Sequence, residues 1–263
     1  MEQLSLFWHR RDLRITDNAG LYKALKNGKN VQPIFIFDTQ ILELLPKNDQ
    51  RVLFIHRTIT ELNAAYKALG TSLWVFHGNP VELVPELVRK HAVKNVFCNR
   101  DYEPHAIKRD KSIHELLQQL DCTFSGSKDQ VIFEKEEVVK PDGKPYHVFT
   151  PYMKRWKEKL TDFHVKPYPV EKYTGNLNKG TGNEIPSLSA LGFSEVQTQD
   201  FPPAAVPENI IRDYHNTRDI PSIEGTTRLS LHLRFGTVSI RSLAKKALET
   251  NEKYFNELIW RDF

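Results

Sequence analysis

Five short runs of β-branched and aromatic residues, each separated from the next by a longer amphipathic stretch, fill the first 130 residues. This alternation restricts the fold more than any other feature of the chain. The runs are LSLFW (4–8), VQPIFIF (31–37), SLWVFH (72–77), NVFCN (95–99) and CTFSG (122–126). Between them, residues 18–25, 49–69, 80–91 and 103–120 carry apolar side chains at the three- and four-residue spacing of helices. In the second of these, Val52, Ile55, Ile59, Leu62, Tyr66 and Leu69 form one stripe, and Gly70 stands where a C-terminal cap belongs. Strands that alternate with helices pair in parallel through helical crossovers. The expected fold is therefore α/β, a Rossmann-like open parallel five-stranded sheet with flanking helices.

After residue 130 the pattern changes. KPDGKPY (140–146) reads as a turn, TPYMKRWKEKL (150–160) as a short basic helix, and 165–200 is rich in Pro, Gly, Ser and Asn. From Pro207 onward helical signals return without strand alternation, and Leu233, Ile240, Leu243, Ala247 and Leu248 suggest the beginning of a helical core. The expected organisation is an α/β domain over 1–130, an interdomain linker over 131–205, and the start of an all-helical domain over 206–263.

Composition narrows the function classes. With 40% hydrophobic and 27% charged residues among 263, the chain has the make-up of an ordinary globular protein. A net charge of +4 permits an anionic partner without requiring one. Cys98 and Cys122 show no metal-ligand spacing, so no metal is expected, and no apolar run is long enough to span a bilayer. The start, MEQLSLFW, lacks the layout of a signal peptide, so the expected setting is reducing and cytoplasmic, with no membrane partner. Neither GxGxxG nor GxxxxGK[ST] occurs, which argues against an ordinary dinucleotide or nucleoside triphosphate site.

Three stretches carry candidate chemistry. HRRDLRITDN (9–18) reads as a polar turn held by an Arg-Asp network, with Asp12 the member expected to be partly buried and paired and Asp17 or Asn18 near a helix N-cap. In GTTRLSLHLRFGTVS (225–239), hydroxyls and glycines surround a helix start beside Arg228 and Arg234. That arrangement suits a phosphate group, or equally a simple cap at Thr226 or Thr227. In NELIWRDF (256–263), Leu258, Ile259 and Phe263 share a helical arc with Phe255, while Glu257, Trp260 and Arg261 share the opposite one. Glu257 and Arg261 at i,i+4 could be no more than a surface ion pair.

WHRRDLRITDNAGL (8–21), KPYHVFTPYMKRW (144–156), YHNTRDIPSIEGTTRLSLHLRFGTVS (214–239) and NELIWRDF (256–263), in that order, resemble the DNA photolyase and cryptochrome family. The resemblance runs from the first strand to the last residue and is greatest to the cyclobutane pyrimidine dimer photolyases. It implies an α/β antenna domain joined by a linker to an all-helical FAD-binding domain. By position-by-position match it assigns Tyr214, Thr226, Thr227, Arg228, Leu229 and Ser230 to FAD, whose diphosphate meets hydroxyls and backbone amides. Thr227 stands where many members have Ser, which keeps the hydroxyl. The terminal motif implies that Glu257 and Trp260 act catalytically on a pyrimidine dimer in DNA and that Arg261 lies near the flavin phosphates. Arg218 is assigned to a DNA phosphate beside the lesion.

The implied activity is light-driven repair of pyrimidine dimers in DNA by electron transfer from reduced FAD, in a monomer that also carries a second, antenna chromophore. Folate-binding members carry Asn and Glu shortly after a YE pair; His105 and Ala106 stand there in this chain, which leaves the antenna unidentified. The family's helical domain continues past the motif at which this sequence stops, so the chain is expected to be the N-terminal portion of the enzyme. The alternatives are a cryptochrome-like flavin photoreceptor and a stand-alone antenna or nucleotide-binding module without repair activity.

Overall fold

The computed structural model describes residues 3–195 and 200–263, which form two compact units. The first comprises Met1–Ser127, Tyr168–Phe201 and Phe235–Thr237. Its elements in chain order are β1 (Ser5–His9), α1 (Ala19–Asn27), β2 (Val31–Asp38), α2 (Thr39–Leu42), α3 (Gln50–Ala68), β3 (Trp74–Gly78), α4 (Pro80–His91), β4 (Asn95–Asn99), α5 (Pro104–Gln118) and β5 (Thr123–Ser127). All five strands pair in parallel in the order β3-β2-β1-β4-β5, with Ser5 opposite Val31 on one side and Asn95 on the other. Each element but the four-residue α2 answers to a run in the sequence. β1 and β2 are buried along their whole length, as strands covered on both faces must be.

The helices close with the caps their sequences offer. Asn18, and not Asp17, caps α1, its side chain accepting from the Leu21 amide. After α3, Gly70 takes a left-handed φ of 81° with open space around it, and the Thr71 amide reaches back to the Tyr66 carbonyl. Leu69, counted in the apolar stripe, is exposed because the helix has already ended at Ala68.

Strand order reverses between β1 and β4, and the polar turns HRRDLR and NRDYE follow these two strands. Asp12 is fully buried. Its carboxylate accepts from the Arg10 amide at 2.6 Å and from the side chains of Asn18 and Asn99 at 3.1 and 2.6 Å. Saturation by donors is what makes a buried carboxylate tolerable. His9 bonds the Tyr66 hydroxyl at 2.7 Å, and the burial of that phenol, then the charge of Asp12, pushes its pKa well up. The Arg10 guanidinium donates to both oxygens of Asp110 and to the Asn99 carbonyl. The network anchors the turn, as its sequence suggests.

The Pro- and Gly-rich stretch has more structure than its composition implies. Leu177, Leu188, Leu191 and Phe193 are buried in the same core as β1 and β2. The Asn178 amide donates to the Val31 carbonyl at 2.8 Å. On β3, at the sheet edge, the Asn183 side chain accepts from the Val75 amide at 2.8 Å and donates to its carbonyl, which supplies the bonds of a missing strand. Residues 196–199 of the expected linker lie outside the described residues.

The second unit comprises Lys128–Pro167, Pro202–Arg234 and Val238–Phe263. Its helices are α6 (Phe149–Lys159), α7 (Glu208–Arg212), α8 (Tyr214–Thr217), α9 (Ser230–Phe235), α10 (Ile240–Thr250) and α11 (Glu252–Ile259). It has no strand among its described residues. Trp156, Ile211, Ile240, Leu243, Ala247, Phe255 and Ile259 are central to its core, whereas Leu248 lies on the exposed side of α10. A buried ion pair, Arg241 to Asp129 at 2.7 Å, ties α10 to the segment that enters the unit.

Candidate functional site

The end of the chain is built on α11. Asn251 caps it: its side-chain oxygen accepts from the Tyr254 amide at 3.1 Å, and its Nδ2 donates to the Arg212 carbonyl at 2.8 Å. Tyr254, Phe255, Leu258 and Ile259 are buried, while Glu257, Trp260 and Arg261 remain open or partly open. Phe263 does not follow the helical projection and is exposed, because α11 ends at Ile259 and the last residues turn.

Glu257 finds its partner outside its own helix. Its carboxylate accepts from Nη1 of Arg218, at the end of α8, with both side chains about one-third exposed at 34% and 32%. The Arg218 guanidinium lies 5.4 Å over the Tyr214 ring. Tyr214 meets Tyr254 edge-on at 5.1 Å, and the Tyr254 hydroxyl donates to Oγ1 of Thr227 at 3.2 Å. Burial raises the pKa of Tyr254, and burial followed by the charge of Glu257 raises that of Tyr214. The hydrogen bond to Glu257 raises that of Arg218. Four residues singled out in the sequence, Tyr214, Arg218, Thr227 and Glu257, thus form one contiguous chain of contacts.

Trp260 is 49% exposed and stacks on Phe149, with ring centroids 3.6 Å apart and planes 8° from parallel. One face of the indole is held by protein, the arrangement of a platform for a further flat ring. Arg261 is differently placed from its neighbours. It donates to the carbonyls of Gln130 at 2.6 Å and Leu233 at 3.1 Å, and so clamps α9 to the 128–133 segment. The surface ion pair along α11 is replaced by these two separate attachments.

In the 225–230 loop the cap, one of the two readings the sequence allowed, is not formed by Thr226 or Thr227. α9 begins at Ser230, not beside Thr226 or Thr227, and lasts six residues, too short to contribute much of a dipole. The helix is delayed because Arg228 adopts a left-handed φ of 50°, which α-helical continuation forbids. Gly225 is required where it stands, since a Cβ there would lie 2.6 Å from the Thr217 Cβ. Leu229 is buried and pins the loop, while Thr226, Arg228 and Ser230 face outward and Thr227 is half-buried. Arg228 bonds Glu224 at 2.9 Å, with both side chains largely exposed. Outward hydroxyls beside a strained arginine suit a phosphate, and that strain is of the kind that collects at binding loops. The donor set fits the diphosphate of FAD at Thr226, Thr227, Arg228 and Ser230; Arg261 has its donors on carbonyls instead.

Sequence reasoning passed over Asn251, Tyr254 and Phe149. Asn251 could have been found, since an Asn before Glu-Lys-Tyr-Phe is a helix-start signal. Tyr254 carried no signal, and Phe149, though inside the KPYHVFTPYMKRW motif, carried none for its stacking on Trp260, since both roles depend on partners far away in the chain. Among the described residues no cluster of His, Cys, Asp or Glu could hold a metal, and no helix is long and apolar enough to cross a membrane.

The chain matches the family model described as DNA photolyase over residues 5–172. It is 29% identical over 289 residues to the deoxyribodipyrimidine photo-lyase of a Synechococcus strain, covering 98% of this chain and 59% of that protein. A bacterial class III photolyase from Agrobacterium tumefaciens has the same fold, with a TM-score of 0.83 at 22% identity over 100% of this chain and 58% of the other. An archaeal photolyase from Sulfolobus tokodaii, solved with two FAD molecules and a proposed novel light-harvesting cofactor, superposes with a TM-score of 0.79 at 26% identity, over 99% and 58% of the two chains. The chain thus spans about three-fifths of the length of the relatives it matches.

Proposed function

Because this chain belongs to the DNA photolyase family, we propose that it forms the N-terminal part of a deoxyribodipyrimidine photo-lyase and supplies half of the site that repairs pyrimidine dimers in DNA. The observation that carries the reading is the contiguous face formed by Tyr214, Arg218, Thr227, Tyr254 and Glu257, with the half-held Trp260 on the same helix as Glu257. A dimer extruded from the duplex loses its stacking, and an aromatic ring with one open face restores part of it. Trp260 provides that ring. Glu257 would hydrogen-bond a base edge, and Arg218 would hold a phosphate beside it.

Thr226, Thr227, Arg228, Leu229 and Ser230 would hold the diphosphate of FAD, and Tyr214 would close the loop from below. Arg261 would act by charge and by fixing α9, since two carbonyls already take its donors. FAD, when bound and reduced, supplies the light-driven electron. The residues of this chain bind, orient and exclude water. Residues 1–130 would be the antenna domain, 131–205 the connection, whose stretch Tyr168–Phe201 packs into the first unit, and 206–263 the start of the FAD-binding domain. Its second chromophore is open between a flavin, as in the Sulfolobus tokodaii relative, and other groups. We place the protein in the cytoplasm as a monomer.

An oligonucleotide with a single thymine dimer tests the proposal. The complete protein should restore the two thymines under light and not in the dark; no light-dependent restoration would contradict it.

A further inference from the structure

The residues assigned to two tasks, Arg218 to a phosphate and Glu257 to a base, hold each other. We infer that the Arg218–Glu257 pair is a latch on the nucleic-acid site: a backbone phosphate taken up by Arg218 releases Glu257 to read the base. The inference rests on the proposed DNA site and adds the order in which its parts engage.

Three observations support it. The Nη1 bond joins α8 to α11 across 39 residues, so the pair bridges two elements and is not a local surface contact. Both side chains are about one-third exposed, so a phosphate can reach the guanidinium without unfolding anything. The guanidinium also stays in place when Glu257 leaves, because the Tyr214 ring lies 5.4 Å beneath it and Asp219 reaches its Nε at 3.4 Å. A guanidinium fork accepts a phosphate as readily as a carboxylate, so the exchange replaces one charged pair by another.

The latch makes base reading conditional on phosphate binding. A free base meets a Glu257 already engaged; a base carried on a strand arrives with the anion that frees it. A pair this exposed holds by a modest factor, enough to set the resting state and not enough to bar DNA.

Binding by the complete protein of a single-stranded oligonucleotide, undamaged and with one thymine dimer, tests the latch, the undamaged strand being titrated at several salt concentrations. Glu257→Gln keeps the shape and removes the charge that occupies Arg218. It should bind about two- to fivefold tighter than wild type, the factor expected for a partly exposed ion pair. Its salt slope should run parallel to that of wild type, because Arg218 takes the same phosphate in both. Arg218→Gln should bind more weakly, and the double variant should match Arg218→Gln. Wild type and Glu257→Gln binding with equal affinity, or a Glu257→Gln slope shallower than wild type by about one contact, would overturn the latch while leaving the DNA site intact. A wild type that binds with no preference for a dimer-bearing strand, beside a tighter Glu257→Gln, would overturn the repair reading and leave the latch standing. No binding by any variant would count against both. Unchanged melting temperatures confirm that each variant is folded.

Discussion

At the scale of single residues, Asp262 shows how a carboxyl acquires an unusual titration. Its Oδ2 gathers the Ile132 and Phe133 amides and the Trp156 indole at 3.2, 3.0 and 3.0 Å, while Oδ1 is buried without a hydrogen-bond partner. Burial pushes its pKa up to about 6, against the pull of those donors and of Arg261. The folded state therefore binds this proton more tightly than the unfolded chain does. Stability from this group is fully present below the ordinary carboxylate pKa and is lost as pH rises from about 4 to about 6, at no more than about 1.4 kcal/mol per pH unit. Asp262→Asn should flatten that part of the stability profile, measured by urea unfolding across the same window. Gly236 offers a sharper steric test. Its φ is 66°, and a Cβ there would lie 2.2 Å from the Arg11 carbonyl oxygen and 2.6 Å from the Asp12 Cα, both backbone atoms with little room to yield. Gly236→Ala should cost at least about 2 kcal/mol, read as a lower denaturant midpoint. Neither effect was legible in the sequence. The glycine and the aspartate are visible there, but the atoms that crowd or bind them come from residues more than a hundred positions away.

At the scale of elements, legibility followed periodicity. The strands and long helices of the first unit appear where the sequence put them, because strands covered on both faces are continuous apolar runs and a helix repeats its buried face every 3.6 residues. The segment Tyr168–Phe201 was opaque for the opposite reason: Leu177, Leu188, Leu191 and Phe193 are buried one at a time, without a period, among residues that favour turns. The start of α9 was not legible because a single left-handed residue, Arg228, decides where it can begin. On α11, the division into a buried and an open face was readable, yet the partner of Glu257 was not. Asn251 is the element's test. Asn251→Ala removes the cap of α11 and leaves the Arg212 carbonyl without its donor, which should cost about 1–2 kcal/mol. The loss should appear as faster amide exchange in α11 and as a lower melting temperature.

At the scale of the molecule, the two units divide sequence and chemistry. The first is an α/β sheet whose polar turns are tied by their own side chains; the second presents the hydroxyl loop, the Arg218–Glu257 pair and the Trp260 platform. Family membership and fold were legible from four ordered motifs, and the chain spans about three-fifths of the length of its photolyase relatives. The central claim is that the open face of α11 acts on the lesion. The most direct test is the rate at which the complete, flavin-loaded protein restores thymines in a dimer-bearing oligonucleotide under light, with Glu257→Ala and Trp260→Ala compared with wild type. Each variant should repair at least about tenfold more slowly at subsaturating DNA, the factor that corresponds to about 1.4 kcal/mol of lost transition-state binding. Repair by both variants at the wild-type rate would contradict the claim.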